Sequence, residues 1–234
     1  IIGDKETDVE DNGDGSYDIT ANVNPGDNTT KRTVTVELGE GKAPQISDTD
    51  SYVGYYADVD GNGSVDGIIY ADLAIGGSGT WSPYSSSYNS NGTYTIPKGS
   101  NFKDYTESGS YTANGFGTKG VIKATSTSGN ERFYVMALSN VDSSTHHWYN
   151  NAYGNMSDYA SATSVDFGTG EKNTQTMITK WNSSAYGSQN GNSSYPDVWG
   201  LSAVQSGTWN GSTGWYVPSR GEWAAFGAAF NITR

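Results

Sequence analysis

The chain has 234 residues, a formal charge of -12 and no cysteine, which excludes disulfides, thiolate chemistry and Cys-ligated zinc. Only 13 Lys and Arg stand against 25 Asp and Glu, with no basic cluster, and this argues against nucleic-acid phosphates or anionic lipid as partners. With 34% hydrophobic residues but 17 Tyr and 7 Trp, burial rests on few, large side chains. The 31 Gly among many Ser, Asn and Thr point to a loop-rich, mainly β chain.

No apolar run reaches a membrane-spanning length, and no signal peptide is recognisable. The first residue is Ile1 rather than Met, which sets the expectation of a processed product or a piece of something longer.

Residues 1–15 are acidic and open, and close on Asn12-Gly13-Asp14-Gly15, which reads as turn chemistry ahead of a strand. Tyr17, Ile19, Ala21 and Val23 then alternate with polar residues. After the turn Asn24-Pro25-Gly26-Asp27, Val34, Val36 and Leu38 alternate again. The pattern predicts a β-hairpin. The run DNGDGSYDIT resembles the closing hairpin of bacterial immunoglobulin-like surface modules, so 1–41 is expected to be an immunoglobulin-like fragment and 42–234 a second domain, joined through Gly39 to Pro44. A lone hairpin is marginal in water. It is therefore expected to pack on the following domain, on strands upstream, or on a neighbouring chain, a route to self-association.

Extended segments follow at Tyr52 to Ala57 and Gly67 to Leu73. Ser82 to Thr93 is low-complexity Ser, Tyr and Asn and reads as a surface loop. Gly120 to Thr125 and Phe133 to Leu138 are extended again, the second apolar on both faces and so expected in the middle of a sheet. Met177, Trp181 and Ala185 at i, i+4 and i+8, with Gly187 beyond, predict a helix over about 173–186. Tyr195 to Gly200 is expected to bridge to a second helix.

Between the first two of these strands lies DVDGNGSVDG. Asp58, Asp60, Asn62 and Asp66 stand at positions 1, 3, 5 and 9 of an EF-hand-type loop, with Gly63 at the position-6 turn. Hard oxygens at alternate positions of a tight loop converge on one Ca²⁺, and the expected role is structural. The pattern departs from the true loop at position 12, which is Ile69, and strands flank it. The alternative is an acidic hairpin tip whose Gly and Asn residues supply positive φ. His146 and His147, the only two histidines, point to opposite sides of an extended segment. They are expected to be buried beside Trp148 and Tyr149 rather than metal ligands. The sequons Asn91-Gly92-Thr93 and Asn210-Gly211-Ser212 follow from the Asn and Ser content and carry no assignment.

The most specific stretch is Gly214 to Phe230, GWYVPSRGEWAAFGAAF. Pro218 and Ser219 stop an extended run, and Ser219 with Glu222 fits an S-x-x-E capping box, predicting a helix over about 219–230. Trp223, Phe226 and Phe230 at i, i+3 and i+7 predict its buried stripe. The string W-Y-V-P-S-R-G-E-W, from Trp215 to Trp223, resembles the segment leading into the second helix of C-type-lectin-fold domains of the formylglycine-generating-enzyme type. It is closer to the lectin-fold variable proteins of diversity-generating retroelements, found on phage tails and bacterial surfaces. VGYYADVDGNGSVDGIIYADLA (from Val53), RFYVMALS (from Arg132) and HHWYNNAYGNMSDYA (from His146) extend the likeness.

The resemblance implies an α+β, C-type-lectin-like domain with two helices, in which Trp215, Pro218, Ser219, Glu222 and Trp223 form the scaffold helix and its lead-in. It requires Trp223 to be buried, and it implies that the hypervariable binding strands would follow Arg234. The enzymatic members carry active cysteines that this chain lacks.

The expected function is therefore non-enzymatic. It is an extracellular, cell-surface or virion display protein that recognises a cell-surface protein or glycan, with calcium its one candidate cofactor. Abundant Tyr, Ser, Asn and Gly suit a recognition surface, although the same aromatics are needed for a core poor in Leu and Ile. Alternatives are a subunit of a fibre, filament or surface layer, and a carboxylate-dependent glycan hydrolase, for which no spacing singles out a pair.

Overall fold

A computed structural model describes residues 7–11, 16–22, 31–37, 44–81, 92–140, 161–181, 183 and 211–232. Expectations placed on Ser82 to Asn91, His146 to Ala160, Ala185, Gly187 and Tyr195 to Gly200 lie outside the described residues. The chain divides into two compact units, Ile1–Pro44 and Gln45–Arg234.

The first unit holds three strands where a two-stranded hairpin was expected: β1 (Thr7–Asp11), β2 (Ser16–Asn22) and β3 (Lys31–Glu37), in the order β1-β2-β3. The addition is β1, from the stretch read as open. Val9 is opposite Ile19 in the register, and Thr-Asp-Val-Glu-Asp carries too little apolar alternation to announce a strand.

The second unit is built on a five-stranded mixed sheet. Its strands are β4 (Tyr56–Asp58), β5 (Gly67–Asp72), β8 (Tyr105–Ala113), β9 (Gly117–Ala124) and β10 (Phe133–Ala137), in the order β10-β5-β4-β9-β8. Only β4 and β9 run parallel. A separate hairpin pairs β6 (Gly77–Thr80) with β7 (Thr93–Ile96). Strand β5 is buried at every position, because its two faces serve two cores. Tyr56, Ile68, Tyr70 and Val121 pack on one side with Ala225 and Phe226, and Tyr52, Ala57, Ile69, Tyr105 and Ile122 pack on the other. Strand β8 escaped the sequence reading because its sequence, TESGSYTA after Tyr105, is mostly exposed and has no apolar period.

Two expectations about packing are corrected. Phe133 to Leu138 is not central: β10 is an edge strand among the described residues, pairs with β5 alone, and its five residues are all half-buried. Trp223 is not buried: it is 45% exposed.

Two helices, α1 (Gly170–Trp181) and α2 (Arg220–Ala229), complete the described elements. Helix α2 packs on β5, β6 and β7 through its small residues together with Phe226, which is buried in the core. Gly221, Ala224, Ala225 and Gly227 are buried, and a Cβ on Gly227 would come within 2.2 Å of the Trp81 ring. That close approach turns Trp223 to the rim, where it meets the edge of Phe226 with centroids 5.9 Å apart. The burial of Trp223 that the lectin-type resemblance requires is therefore not found. What the second unit establishes is coarser: a mainly β fold with two helices, a five-stranded mixed sheet and a two-stranded hairpin.

Candidate metal centre and the cleft beside it

Strands β4 and β5 are joined by the acidic loop, and their pairing brings its two ends together: Tyr56 is opposite Ile68, and Asp66 N donates to Ala57 O at 2.9 Å. Asp58 and Asp66 are thereby drawn into the protein, at 2% and 3% exposure, while Asp60 remains at the surface. One carboxylate oxygen from each of the three lies within 4.8 Å of the others.

The hydrogen bonds leave a particular set of oxygens over. Gly63 N donates to Asp58 Oδ2 at 2.9 Å and Val59 N to Asp66 Oδ2 at 2.7 Å, so one oxygen of each buried carboxylate holds the loop. Gly63 adopts φ 90°, a turn open to glycine at little cost. The other oxygens, Asp58 Oδ1 and Asp66 Oδ1, are buried without a partner. Asn62, a predicted ligand, braces the loop: its side-chain amide donates to Asp60 Oδ2 at 2.9 Å, and its carbonyl accepts from Ser64 N at 2.7 Å. Two ionised carboxylates this close repel by about 3 kcal/mol at an effective dielectric of about 20. Burial pushes the Asp66 carboxyl up; Ser212 and Val59 offset part of that, and the charges of Asp60 and Asp58 push it further.

Ser212, which no expectation from the sequence included, closes this group. Ser212 is 2% exposed and is near enough to Asp66 to favour its ionised form, yet it lies outside hydrogen-bonding geometry, so its Oγ has no partner. Gly211 presses so tightly on the loop that a Cβ there would fall 2.4 Å from Asn62 Nδ2 and 2.7 Å from Asp60 Oδ2. The only signal for Ser212 in the sequence was its place in a sequon.

From Ser212 the chain runs as a strap to α2. Trp215, half-buried, donates its indole N–H to Ser212 O at 3.2 Å. Val217 N donates to Thr174 Oγ1 at 3.0 Å, and that hydroxyl donates to Gly170 O at 2.9 Å, so a fully buried threonine fastens the strap to α1. Pro218 then delivers Ser219 to the N-cap. Ser219 Oγ accepts from Glu222 N, and the Glu222 carboxylate accepts from Ser219 N, which completes the expected capping box. Glu222 is wholly buried and also accepts from Gly168 N at 3.2 Å.

Between the strap, the rim of α2 and the β10 edge lies a cleft of about 1090 Å³. Its aromatic wall is Tyr134, Trp215, Tyr216 and Trp223, and its polar end carries the Lys103–Glu131 ion pair. Burial, then the neighbouring Glu222 charge, push the Tyr216 phenol up, so it stays protonated and able to donate. At the far end of β5 another buried charge stands outside the cleft: Arg132 is paired with Asp72, Nε to Oδ1 at 2.8 Å and Nη2 to Oδ2 at 2.9 Å.

Comparison of the chain with protein-family models, with curated proteins and with solved structures finds no match.

Proposed function

We propose that this chain is a non-enzymatic recognition protein displayed on a cell or virion surface, an adhesin or receptor-binding module whose working face lies on the unit from Gln45 to Arg234. The observation that carries the reading is the aromatic wall of the cleft. Tyr134, Trp215 and Tyr216 are half-buried and Trp223 is exposed. Such rings give contact area at small entropic cost and keep a polar tip for hydrogen bonding. They stand on a capped helix, a strap bound to α1 and a sheet strand, so the surface is organised before a ligand arrives. The W-Y-V-P-S-R-G-E-W string contributes its capping box and helix start, while the exposure of Trp223 counts against the lectin-type scaffold it resembles, so the reading rests on the cleft. The exposure of Trp223 moves that residue from the scaffold to the recognition face.

The ligand of this reading is a cell-surface protein or glycan. Binding of the purified chain to a glycan array and to intact bacterial cells tests it, with Trp215→Ala and Trp223→Ala alongside. The expected result is saturable binding that both variants weaken at least about tenfold, as loss of an aromatic anchor does. Wild-type protein that binds nothing on either surface, or variants that bind as the wild type does, would remove the reading.

A second reading, a subunit of a fibre or surface layer, is favoured by one observation. Strand β10 is apolar on both faces and has a single strand neighbour among the described residues, the edge on which strand addition works. Light scattering decides this one, since a clean monomer at high concentration is incompatible with it.

A further inference from the structure

The geometry points to a calcium site that staples two distant parts of the chain: Asp58, Asp60 and Asp66 from the β4–β5 loop, closed by the Ser212 hydroxyl from the strap. It stands independently of the recognition reading.

Three acidic residues near one another are common at surfaces; this group differs in what its buried atoms lack. Asp58 Oδ1, Asp66 Oδ1 and Ser212 Oγ are all inside the protein and all without a hydrogen-bond partner, a condition that costs free energy at each atom. The same carboxylates give their second oxygens to backbone amides, so the loop is already held in the shape that presents the free ones. Every donor is a hard oxygen, and the carboxylate oxygens lie within 4.8 Å of each other. That is the span across a coordination sphere with Ca²⁺–O distances of about 2.3–2.6 Å. The smaller sphere and strict octahedron of Mg²⁺, and its reluctance to shed water, fit a set of three carboxylates and a hydroxyl less well. Water completes the shell on the side of Asp60, which faces solvent.

The ion would bind together segments that lie far apart in the chain. Gly211 already abuts Asp60 and Asn62, and Trp215 hangs from Ser212 O. Calcium therefore fixes the start of the strap that carries Trp215 to the helix cap. It also places an indole beside the ion.

That indole supplies the test. The intact chain is titrated with terbium while tryptophan is excited, and its melting temperature is followed in calcium, in magnesium and in chelator. The expected result is terbium emission that calcium displaces, and a melting temperature raised by calcium well beyond any effect of equal magnesium. Asp66→Asn is expected to weaken calcium about a hundredfold, and Ser212→Ala about tenfold. Trp215→Phe is expected to lose most of the emission yet keep the calcium-dependent melting shift.

Asp66→Asn also guards against a trivial failure to fold. Asparagine keeps the Oδ that accepts from Val59 N and removes one charge from the group, so in chelator this variant is expected to melt at or above the wild-type temperature, and in calcium below it. Absence of a calcium-dependent melting shift in the wild type overturns the assignment. So does a shift that survives in Asp66→Asn, because the ion would then sit elsewhere.

Discussion

The two ends of β5 solve the same problem in opposite ways. At its C-terminal end, Asp72 is 2% exposed, and the chain supplies the counter-charge: Arg132 meets both carboxylate oxygens, and Tyr52 N and Ala74 N donate to them as well at 3.2 and 3.0 Å. The guanidinium is satisfied in turn, donating to Ser47 O and Asp50 O and lying over the rings of Tyr52 and Phe133. At the N-terminal end, Asp66 and Asp58 are buried as deeply, beside a third carboxylate, and no side-chain cation is paired with them in the described residues. A buried charge is tolerated when paired and hydrogen-bonded. One end carries its cation in the sequence; the other has the form of a site that takes its cation from solution.

Breaking the paired end gives the largest expected effect. Arg132→Met leaves Asp72 buried with no cation, which costs about 3–5 kcal/mol where one partner of a buried pair is removed. Arg132→Met with Asp72→Asn should recover most of that, because the uncompensated charge is gone. Urea unfolding of the two variants measures the difference. Equal losses in both would mean that the guanidinium matters for its bonds to Ser47 and Asp50 and not for Asp72.

The corresponding change at the other end is expected to have the opposite sign in chelator. Asp58→Asn removes one charge from a repelling group and should raise stability by about 1 kcal/mol without calcium, a fraction of the pairwise repulsion after solvent screening. In calcium the same variant should fall below the wild type. Denaturant midpoints in the two buffers report the crossing, and a loss in both would show that the loop needs the Asp58 charge even without calcium.

The contrast also marks how far residues can be read without coordinates. The acidic loop was legible because its ligand spacing is local, and so was the capping box, which needs only Ser219 and Glu222 three residues apart. Ser212 was not, since nothing in Asn-Gly-Ser announces that the strap lies against a loop far upstream. Arg132 was illegible for the same reason, as it opens the apolar string RFYVMALS and looks like a solvated flank. Trp223 misled through periodicity, which finds a stripe but not its direction: small residues let α2 close on the sheet, and the indole was left at the rim. The run at β10 misled in the same way, because apolar faces on both sides do not say how many neighbours a strand has.

Helix α2 offers a third way to hold a buried acid, by hydrogen bonds without a cation, and its cap gives an effect of similar size. Ser219→Ala removes the hydroxyl that accepts from Glu222 N and should cost about 1 kcal/mol. Thermal melts in chelator and in calcium should show the same loss, because the cap is independent of the loop. A loss confined to one buffer would tie the helix start to the proposed calcium site.

The smallest effect, and the one that separates the amide-held acid from the paired one, is a pH slope. Glu222 accepts from Ser219 N and Gly168 N, yet burial outweighs these bonds and holds its carboxyl above the usual 4.5. The titratable groups that its charge acts on are the Tyr70, Tyr134 and Tyr216 phenols, none of which is a cation. A carboxyl raised in the folded state binds more protons there than in the unfolded chain. Stability therefore falls as pH rises from about 4.5 through the raised folded value, and is flat above it. Asp66 is raised as well and contributes the same sign, so the slope belongs to Glu222 only by difference. Chemical denaturation of Glu222→Gln and the wild type across that range, both in chelator, is expected to show a shallower fall in the variant and convergence at acid pH. Parallel curves would mean that the hydrogen bonds to Glu222 offset the effect of its burial.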